Sequence, residues 1–384
     1  MYFTEFKCTA CGRTYRRDEV TYLCPICSRE GKPGWPLAGV LETRYDYDTI
    51  GREWKKRPDI ELFSPVEKKY YPELPVGNTP FYRSLRLKHY FAGAAIWLKN
   101  DGLNPSGSLK DRASHLLVAE ARRAGYDKIV TASTGNAASA LAAMAAAQGL
   151  RAVIFVPAAA PPAKLNQIRI HGVELIEVKG DYDEAFARSL QYTKEKGGLN
   201  RNTAYHPFTI EGKKTAALEI FCQNEYQVPD WIVVPVGDGV ILTGIHKGFS
   251  DLQRAGITRK LPHLLAVQAE SSAAIASYWE SGAYENAGKP DTIADSISVK
   301  APSNAHWARK VLIESDGAAV KVSDREILEG QAILARFTGV FAEPAAAATL
   351  AGLQKGYENN IIGKDEQVVL LITGHGLKDA GTRK

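Results

Sequence analysis

Ala95-Ile96-Trp97-Leu98-Lys99-Asn100-Asp101-Gly102-Leu103-Asn104-Pro105-Ser106-Gly107-Ser108-Leu109-Lys110-Asp111-Arg112 runs from a short apolar segment through a turn into a helix. Asn104-Pro105 and Ser106-Gly107 enforce the turn, and Ser108 is expected to cap a helix that continues through Ala113 to Glu120. Lys110 then falls in the first helical turn, where the helix dipole disfavours a cation and lowers the cost of a neutral amine. A nucleophilic or Schiff-base lysine requires that neutral state. The alternative is an ordinary solvated lysine.

The same grammar recurs along the chain. Apolar runs at Lys128–Thr131, Ala152–Val156, Glu174–Val178, Trp231–Val234, Leu264–Val267 and Val368–Ile372 alternate with longer helical patterns. Such alternation predicts an α/β fold of parallel sheets covered by helices on both faces. In open parallel sheets chemistry gathers just past the carboxyl ends of the strands. Three more exits therefore matter: Ser133-Thr134-Gly135-Asn136-Ala137, Gly237-Asp238-Gly239-Val240-Ile241 and Thr373-Gly374-His375-Gly376-Leu377-Lys378-Asp379. The first two lead from a strand into a helix, whose free amides suit a carboxylate or phosphate. The Gly237 loop is neither GxGxxG nor a Walker loop, which weakens a nucleotide reading.

With 384 residues, 45% of them hydrophobic and 24% charged, the chain can bury a large core and is neither disordered nor fibrous. A net charge of +5 without long basic runs does not call for nucleic acid and is compatible with small anions. Ala137–Ala147 is too short and too Ala-rich to span a bilayer and reads as a buried helix, so no membrane association is expected. The amino end lacks the pattern of a secretory signal, which makes a cytoplasmic location the expectation.

Cys8-Thr9-Ala10-Cys11 and Cys24-Pro25-Ile26-Cys27 are two CxxC knuckles. Two such knuckles close a four-thiolate shell, and a segment this short needs a metal to fold. Zinc is the expected ion and iron the rival; disulfides or a redox CxxC fit a cytoplasmic chain less well. Cys222, alone in an amphipathic stretch, reads as a core residue. Gly31 to Leu74 has no sustained period and reads as a wrapping linker, with Lys55-Lys56-Arg57-Pro58 on a solvated face.

In order and over nearly the whole chain these segments resemble the pyridoxal-phosphate enzymes of fold type II, and among them the threonine synthases. The resemblance rests on Val76-Gly77-Asn78-Thr79-Pro80, Asn104 to Arg112, Ser133 to Asn136, the Gly237 loop, Gly339-Val340-Phe341-Ala342-Glu343-Pro344-Ala345, and Thr373 to Asp379; many threonine synthases also carry a cysteine ribbon. It implies a two-lobed architecture. Residues 1–35 would be the metal ribbon, 36–75 a wrap, 76–114 with 209–384 the large cofactor-binding domain, and 115–208 a small mobile domain. It further implies that Lys110 joins the aldehyde of pyridoxal 5'-phosphate and later moves protons. Asn136 would bond the cofactor's 3'-oxygen, and Ser133, Thr134 and neighbouring amides would hold the substrate carboxylate. Gly237, Asp238, Gly239, Val240 and Ile241 would wrap the phosphate, and Thr373 would meet the pyridine nitrogen. Family members are commonly homodimers, so a homodimer acting on a small amino acid is expected.

Two departures stand out. Threonine synthases usually read Asn-Ser-x-Asn-Pro-x-Arg-Ile-Glu-Gly-Gln-Lys-Thr where this chain has Thr203-Ala204-Tyr205-His206-Pro207-Phe208-Thr209-Ile210-Glu211-Gly212-Lys213-Lys214-Thr215. The arginine that grips the substrate phosphate has become Thr209, and the threonine expected after Asn136 is Ala137. Charge-assisted bonds worth ~1.5–3 kcal/mol each are lost, with His206, Lys213 or Lys214 as candidate replacements. Thr203, His206, Thr209 and Ala137 are therefore the expected substrate-side positions. Position 238 commonly holds Asn, and an Asp there must turn its carboxylate away from the phosphate. The competing classes are β-replacement or β-elimination on a serine-like substrate, and an inactive scaffold whose ribbon cations Lys7, Arg13, Arg16 and Arg17 touch nucleic acid; the intact lysine segment argues against the latter.

Overall fold

A computed structural model of the chain describes residues 1–91, 93–160, 162–180 and 182–379. The amino end forms strands β1 (Phe3–Cys8), β2 (Thr14–Tyr15) and β3 (Leu41–Tyr45), joined antiparallel in the order β2-β1-β3. After them come β4 (Phe81–Arg83), β5 (Ala95–Asn100), β6 (Lys128–Ala132), β7 (Arg151–Pro157), β8 (Glu174–Val178), β9 (Leu199–Asn200), β10 (Trp231–Pro235), β11 (His263–Ala269), β12 (Ala318–Val322) and β13 (Gln367–Ile372). They build a six-stranded sheet, β12-β11-β10-β13-β5-β4, and a four-stranded sheet, β8-β7-β6-β9. Every pairing within these two sheets is parallel except β4 with β5.

The large sheet is buried on both faces, which its sequence anticipates by running apolar without alternation. Ile232, Val234, Leu264, Ala266, Val369 and Leu371 enter one core. Their neighbours Val233, Leu265, Val267, Val368 and Leu370 enter another on the opposite face. Each fully buried Val, Leu or Ile contributes roughly 1.5–3 kcal/mol, so the register is pinned from two sides.

The expected linker is more ordered than its composition suggests. β3 lies within it and completes the ribbon's sheet, and Tyr47–Lys56 is a helix whose N-cap Asp46 accepts from the Thr49 N–H at 3.0 Å. Ile50 and Trp54 are the buried face of that helix. The ribbon is docked rather than loose: Phe6, Cys8 and Leu41 pack with Leu116, Leu117 and Phe208. Arg17 lies against the Phe3 and Phe208 rings, 5.1 and 5.2 Å from their centroids, and pairs with Glu120 at 2.7 Å, so it is not free for a phosphate.

The helix after the opening stretch runs from Lys110 to Arg123, and Ser108 does not cap it. Its first helical residues follow Leu109, because Ser108 is held in a bridge to Gly374 and its buried hydroxyl has no partner. What fixes this helix is Arg112. Its guanidinium is buried and bonds Asp101 (Nε to Oδ2, 2.6 Å; Nη2 to Oδ1, 2.9 Å) and Glu219 (Nη1 to Oε1, 2.6 Å; Nη2 to Oε2, 2.8 Å). Glu219 also accepts from Lys99 Nζ at 2.6 Å and from the Asn78 N–H at 2.8 Å, tying β5 and the Val76–Pro80 segment to the same knot.

Burial alone would raise the Glu219 carboxyl, but Arg112 and Lys99 overcome it and bring it down to about 2. An unfolded glutamate titrates near ~4.3, so the stabilisation is complete above that pH and is lost as pH falls toward 2. The midpoint of thermal unfolding is therefore expected to drop steeply between about pH 4.5 and 2.5, by a free energy on the order of 3 kcal/mol. Glu219→Gln is expected to unfold at lower temperature at pH 7 and to show a shallower acid slope, and calorimetry across this range measures both.

Candidate active site and metal knuckles

The carboxyl ends of β5, β6, β10 and β13 deliver the four exits to one region between the two sheets. Lys110 opens its helix with a side chain that remains partly accessible, and no ion pair to it is found among the described residues. Desolvation lowers its amine from the ordinary value and Arg201 pushes the same way, while Glu343 and Asp238 pull it back up. The neighbouring residue is pinned to β13, because the Leu109 N–H donates to the Thr373 carbonyl at 2.9 Å. Thr373 is itself buried.

Asn136 begins the helix Asn136–Gln148, which has no side-chain cap. Its Nδ2 donates to Glu343 Oε2 at 2.8 Å and to Ser296 Oγ at 3.2 Å. Glu343 serves as the N-cap residue of Pro344–Glu358, with Pro344 in the first turn, as Glu-Pro suggests at a helix start. Its side chain has a second role that the sequence did not signal: fully buried, with Oε1 unpartnered, it faces Asn136 and acts electrostatically on Lys110. A Cβ on Gly374 would run into its carboxyl group, so a side chain at that position would displace Glu343. Ser133 and Thr134 lie before the Asn136 helix, partly exposed, and Ala137 lies in its first turn.

Gly239, at φ +83°, caps Val240–Arg254 without a side chain, leaving the first amides of that helix open. A Cβ there would meet Ala308 Cβ at 2.7 Å, and one on Gly237 would approach Ile297 Cα to 3.0 Å. Asp238 turns its Oδ1 to the Ser303 N–H (3.1 Å) and hydroxyl (3.2 Å); burial raises its pKa, and these bonds and one from Thr203 oppose the shift. This occupies the carboxylate away from the loop's own amides. An open helix start walled by side chains, with buried unpaired oxygens on Ser108, Asn304 and Glu343 nearby, fits a phosphate-bearing cofactor joined to Lys110.

Two expected substrate residues have their side chains engaged within the protein. His206 is buried, its ring edge-on to Tyr22 and tilted on Phe208, and its Nδ1 accepts from the Phe208 N–H at 3.1 Å. Burial lowers its pKa to about 3, so it is neutral and faces the ribbon. Thr209 spends its hydroxyl on its own loop, donating to the His206 carbonyl at 2.8 Å and accepting from the Ala204 N–H at 3.2 Å. His375 is held by its backbone, its N–H on the Gly107 carbonyl at 3.0 Å and its Nδ1 accepting from Leu377 at 3.1 Å. Lys214 is committed to Glu211 and to Asp251, the latter at 2.8 Å. Lys213, one residue earlier, has no such partner among the described residues. Sequence reading missed Arg201 altogether, because the strand before it is two residues long and gave no apolar run.

At the ribbon the four sulfurs of Cys8, Cys11, Cys24 and Cys27 lie within 4.8 Å of one another, with Cys8–Cys27 at 3.8 Å and Cys11–Cys24 at 3.9 Å. A tetrahedral ion with metal–sulfur bonds of about 2.3 Å needs sulfur–sulfur edges of about 3.8 Å, so the donor set suits zinc. Cys222 is partly buried against the large core.

Two parallel sheets with a lysine, an asparagine and a glycine cradle at their strand ends define a pyridoxal-phosphate enzyme of fold type II. Residues 72–374 match the pyridoxal-phosphate dependent enzyme family. Threonine synthase of Methanosarcina acetivorans is 38% identical over 98% of this chain and 92% of its own length, and that of Methanocaldococcus jannaschii 37% over 97% and 92%. An L-serine ammonia-lyase from Rhizomucor miehei superposes with TM-score 0.68 at 24% identity, covering 78% of this chain and 94% of that one. Tomato threonine deaminase isoform 2 gives TM-score 0.67 at 22% identity over 77% and 79%, which likewise speaks to the fold alone. The chain belongs to the threonine synthase family of pyridoxal-phosphate-dependent lyases. Among the described residues no helix is long and apolar enough to cross a membrane.

Proposed function

We propose that the protein converts O-phosphohomoserine and water into threonine and inorganic phosphate. The observation that carries this reading is the placement of Lys110, partly accessible and without an ion pair, beside Asn136, Thr373 and the Gly237–Gly239 cradle in a chain with threonine synthase relatives along nearly its whole length. Pyridoxal 5'-phosphate, when bound, supplies the electron sink for charge developing at the substrate's Cα. Lys110 moves the protons: a neutral amine takes one from carbon and returns it later, as the γ carbon–oxygen bond breaks and water adds at Cβ. Asn136 and the amides at Val240 and Ile241 orient the cofactor. Ser133 and Thr134, at the uncapped helix start, hold the substrate carboxylate. Thr373 offers the pyridine nitrogen a neutral hydroxyl, which leaves the sink tempered and suited to elimination and replacement. On the same reading the enzyme is cytoplasmic and homodimeric.

One observation favours a second reading. Thr209, standing where relatives carry the phosphate-gripping arginine, has its hydroxyl closed on its own loop. β-Replacement or β-elimination on a serine-like substrate, such as O-phosphoserine with sulfite or threonine and serine dehydration, follows if that loss is uncompensated. Purified holoenzyme supplied separately with each amino acid separates the two. Threonine and phosphate from O-phosphohomoserine are expected; ammonia or cysteate from the other substrates, with O-phosphohomoserine untouched, contradicts the assignment.

For the ribbon we propose a structural zinc, with iron as the alternative ion, because the thiolates are docked on the body of the enzyme far from the lysine segment in sequence. Titration with a mercurial is expected to release one zinc per chain and to lower the unfolding temperature while the cofactor stays bound. Release of iron, or of no metal, contradicts this.

A further inference from the structure

Six Lys and Arg side chains are buried among the described residues: Lys99, Arg112, Arg201, Lys213, Lys214 and Lys247. Four of them are matched by buried carboxylates, Lys99 and Arg112 by Glu219 and Asp101, Lys214 and Lys247 by Asp251 and Glu211. Arg201 and Lys213 are not. Arg201, 2% exposed, makes one long side-chain bond, Nη2 to Ser114 Oγ at 3.3 Å, and its Nε has no partner. Among the described residues Lys213, 5% exposed, has no ion pair or side-chain hydrogen bond. A buried cation without a counter-charge is costly, and that cost is offset when an anion arrives.

Their positions point to where that anion sits. Arg201 leaves the end of β9, its N–H on the Val130 carbonyl at 2.8 Å, beside the strand that delivers Ser133 to Asn136. Its contact Ser114 lies one turn beyond Lys110 on the lysine's own helix. Lys213 ends the helix Phe208–Lys213 and packs on the cradle's helix, where a Cβ on Gly244 would lie 2.9 Å from Lys213 Cβ. Arg201 thus touches the lysine helix and Lys213 the phosphate-cradle helix, and both Arg201 and Lys110 act electrostatically on Lys213. Asp238 also acts on Lys213 electrostatically, but its Oδ1 is taken by Ser303. Burial brings Arg201 down only to about 10, so it stays charged at neutral pH, whereas burial, with Arg201 and Lys110 pushing the same way, holds the Lys213 amine well below its ordinary value, so that an arriving anion favours its protonation.

We infer that Arg201 and Lys213 form the subsite for an anionic group on the substrate's side chain, a phosphate ester, in place of the arginine that relatives carry at position 209. This rests on the cofactor site proposed above. The exchange occurs within one segment: Arg has become Thr209, the glutamine of the usual motif has become Lys213, and Arg201 joins from just upstream. Arg201 with a Lys213 amine protonated on binding matches a dianion, and the substrate class is an O-phosphorylated amino acid of three or four carbons.

The test is titration of the intact holoenzyme with inorganic phosphate, followed by calorimetry, alongside steady-state kinetics with O-phosphohomoserine and O-phosphoserine. Saturable phosphate binding is expected in the unaltered protein. It should weaken at least tenfold in Arg201→Gln and in Lys213→Gln and persist within about threefold in Lys213→Arg, with the cofactor's absorbance unchanged. KM for the phosphorylated substrate should rise in step, with kcat moving much less. Absence of saturable phosphate binding to the unaltered enzyme overturns the inference without requiring any variant to fold, as does binding that both glutamine variants retain. Turnover of O-phosphoserine rather than O-phosphohomoserine, with phosphate binding lost in the variants, supports the subsite and overturns the threonine assignment.

Discussion

Arg112 is held in the interior by two carboxylates, Asp101 and Glu219, and the geometry of the active site follows from that clasp. Both oxygens of each partner are used, so the guanidinium has one orientation, and the helix that carries it cannot rotate. Lys110 lies two residues earlier on the same backbone. Removing one carboxylate would strand a buried cation at a cost of ~3–5 kcal/mol, whereas the intact knot leaves Lys110 itself free of any ion pair. Structural charge and chemical charge are thereby separated on one short helix.

The sheets supply the rest. β5, β10 and β13 run parallel in the large sheet and β6 runs parallel to its neighbours in the small one, and each releases a loop at its carboxyl end. Two of those loops lead into helices without side-chain caps, so open amides replace the Ser or Asp that would otherwise consume them. The site is accordingly rich in backbone donors and in buried groups with one bond too few, such as Ser108, Asn304 and Glu343. In a native interior such deficits are uncommon, and these three belong to the lysine segment, the partner of the Gly239 carbonyl and the partner of Asn136, where another molecule can complete the structure.

Much of this was legible in the residues. Seven apolar runs named seven strands, and the turn at Asn104–Gly107 placed Lys110 at a helix start. The cysteine spacing anticipates four sulfurs at one place, and they lie within 4.8 Å of one another. What escaped notice did so for physical reasons. β3 and the Tyr47–Lys56 helix lie in a stretch whose Pro, Gly and charges hide any period, and each is stabilised by the body it packs on. Ser108 looked like a cap, but pairing with Gly374 holds its backbone outside the helix. The sequence leaves His206 open to a substrate role or to packing, and its neighbours Tyr22 and Phe208 make it a packed ring. Lys213 and Lys214 are indistinguishable in sequence; only the position of Glu211 and Asp251 neutralises one and leaves the other bare.

The account stands on Lys110 being the amine that carries pyridoxal 5'-phosphate. Borohydride reduction of the purified holoenzyme, followed by digestion and mass mapping, addresses this directly. A single pyridoxyl adduct on the peptide containing Lys110 is the predicted result. An adduct on Lys213 or any other lysine, or no adduct in a chain that retains its fold, would contradict it.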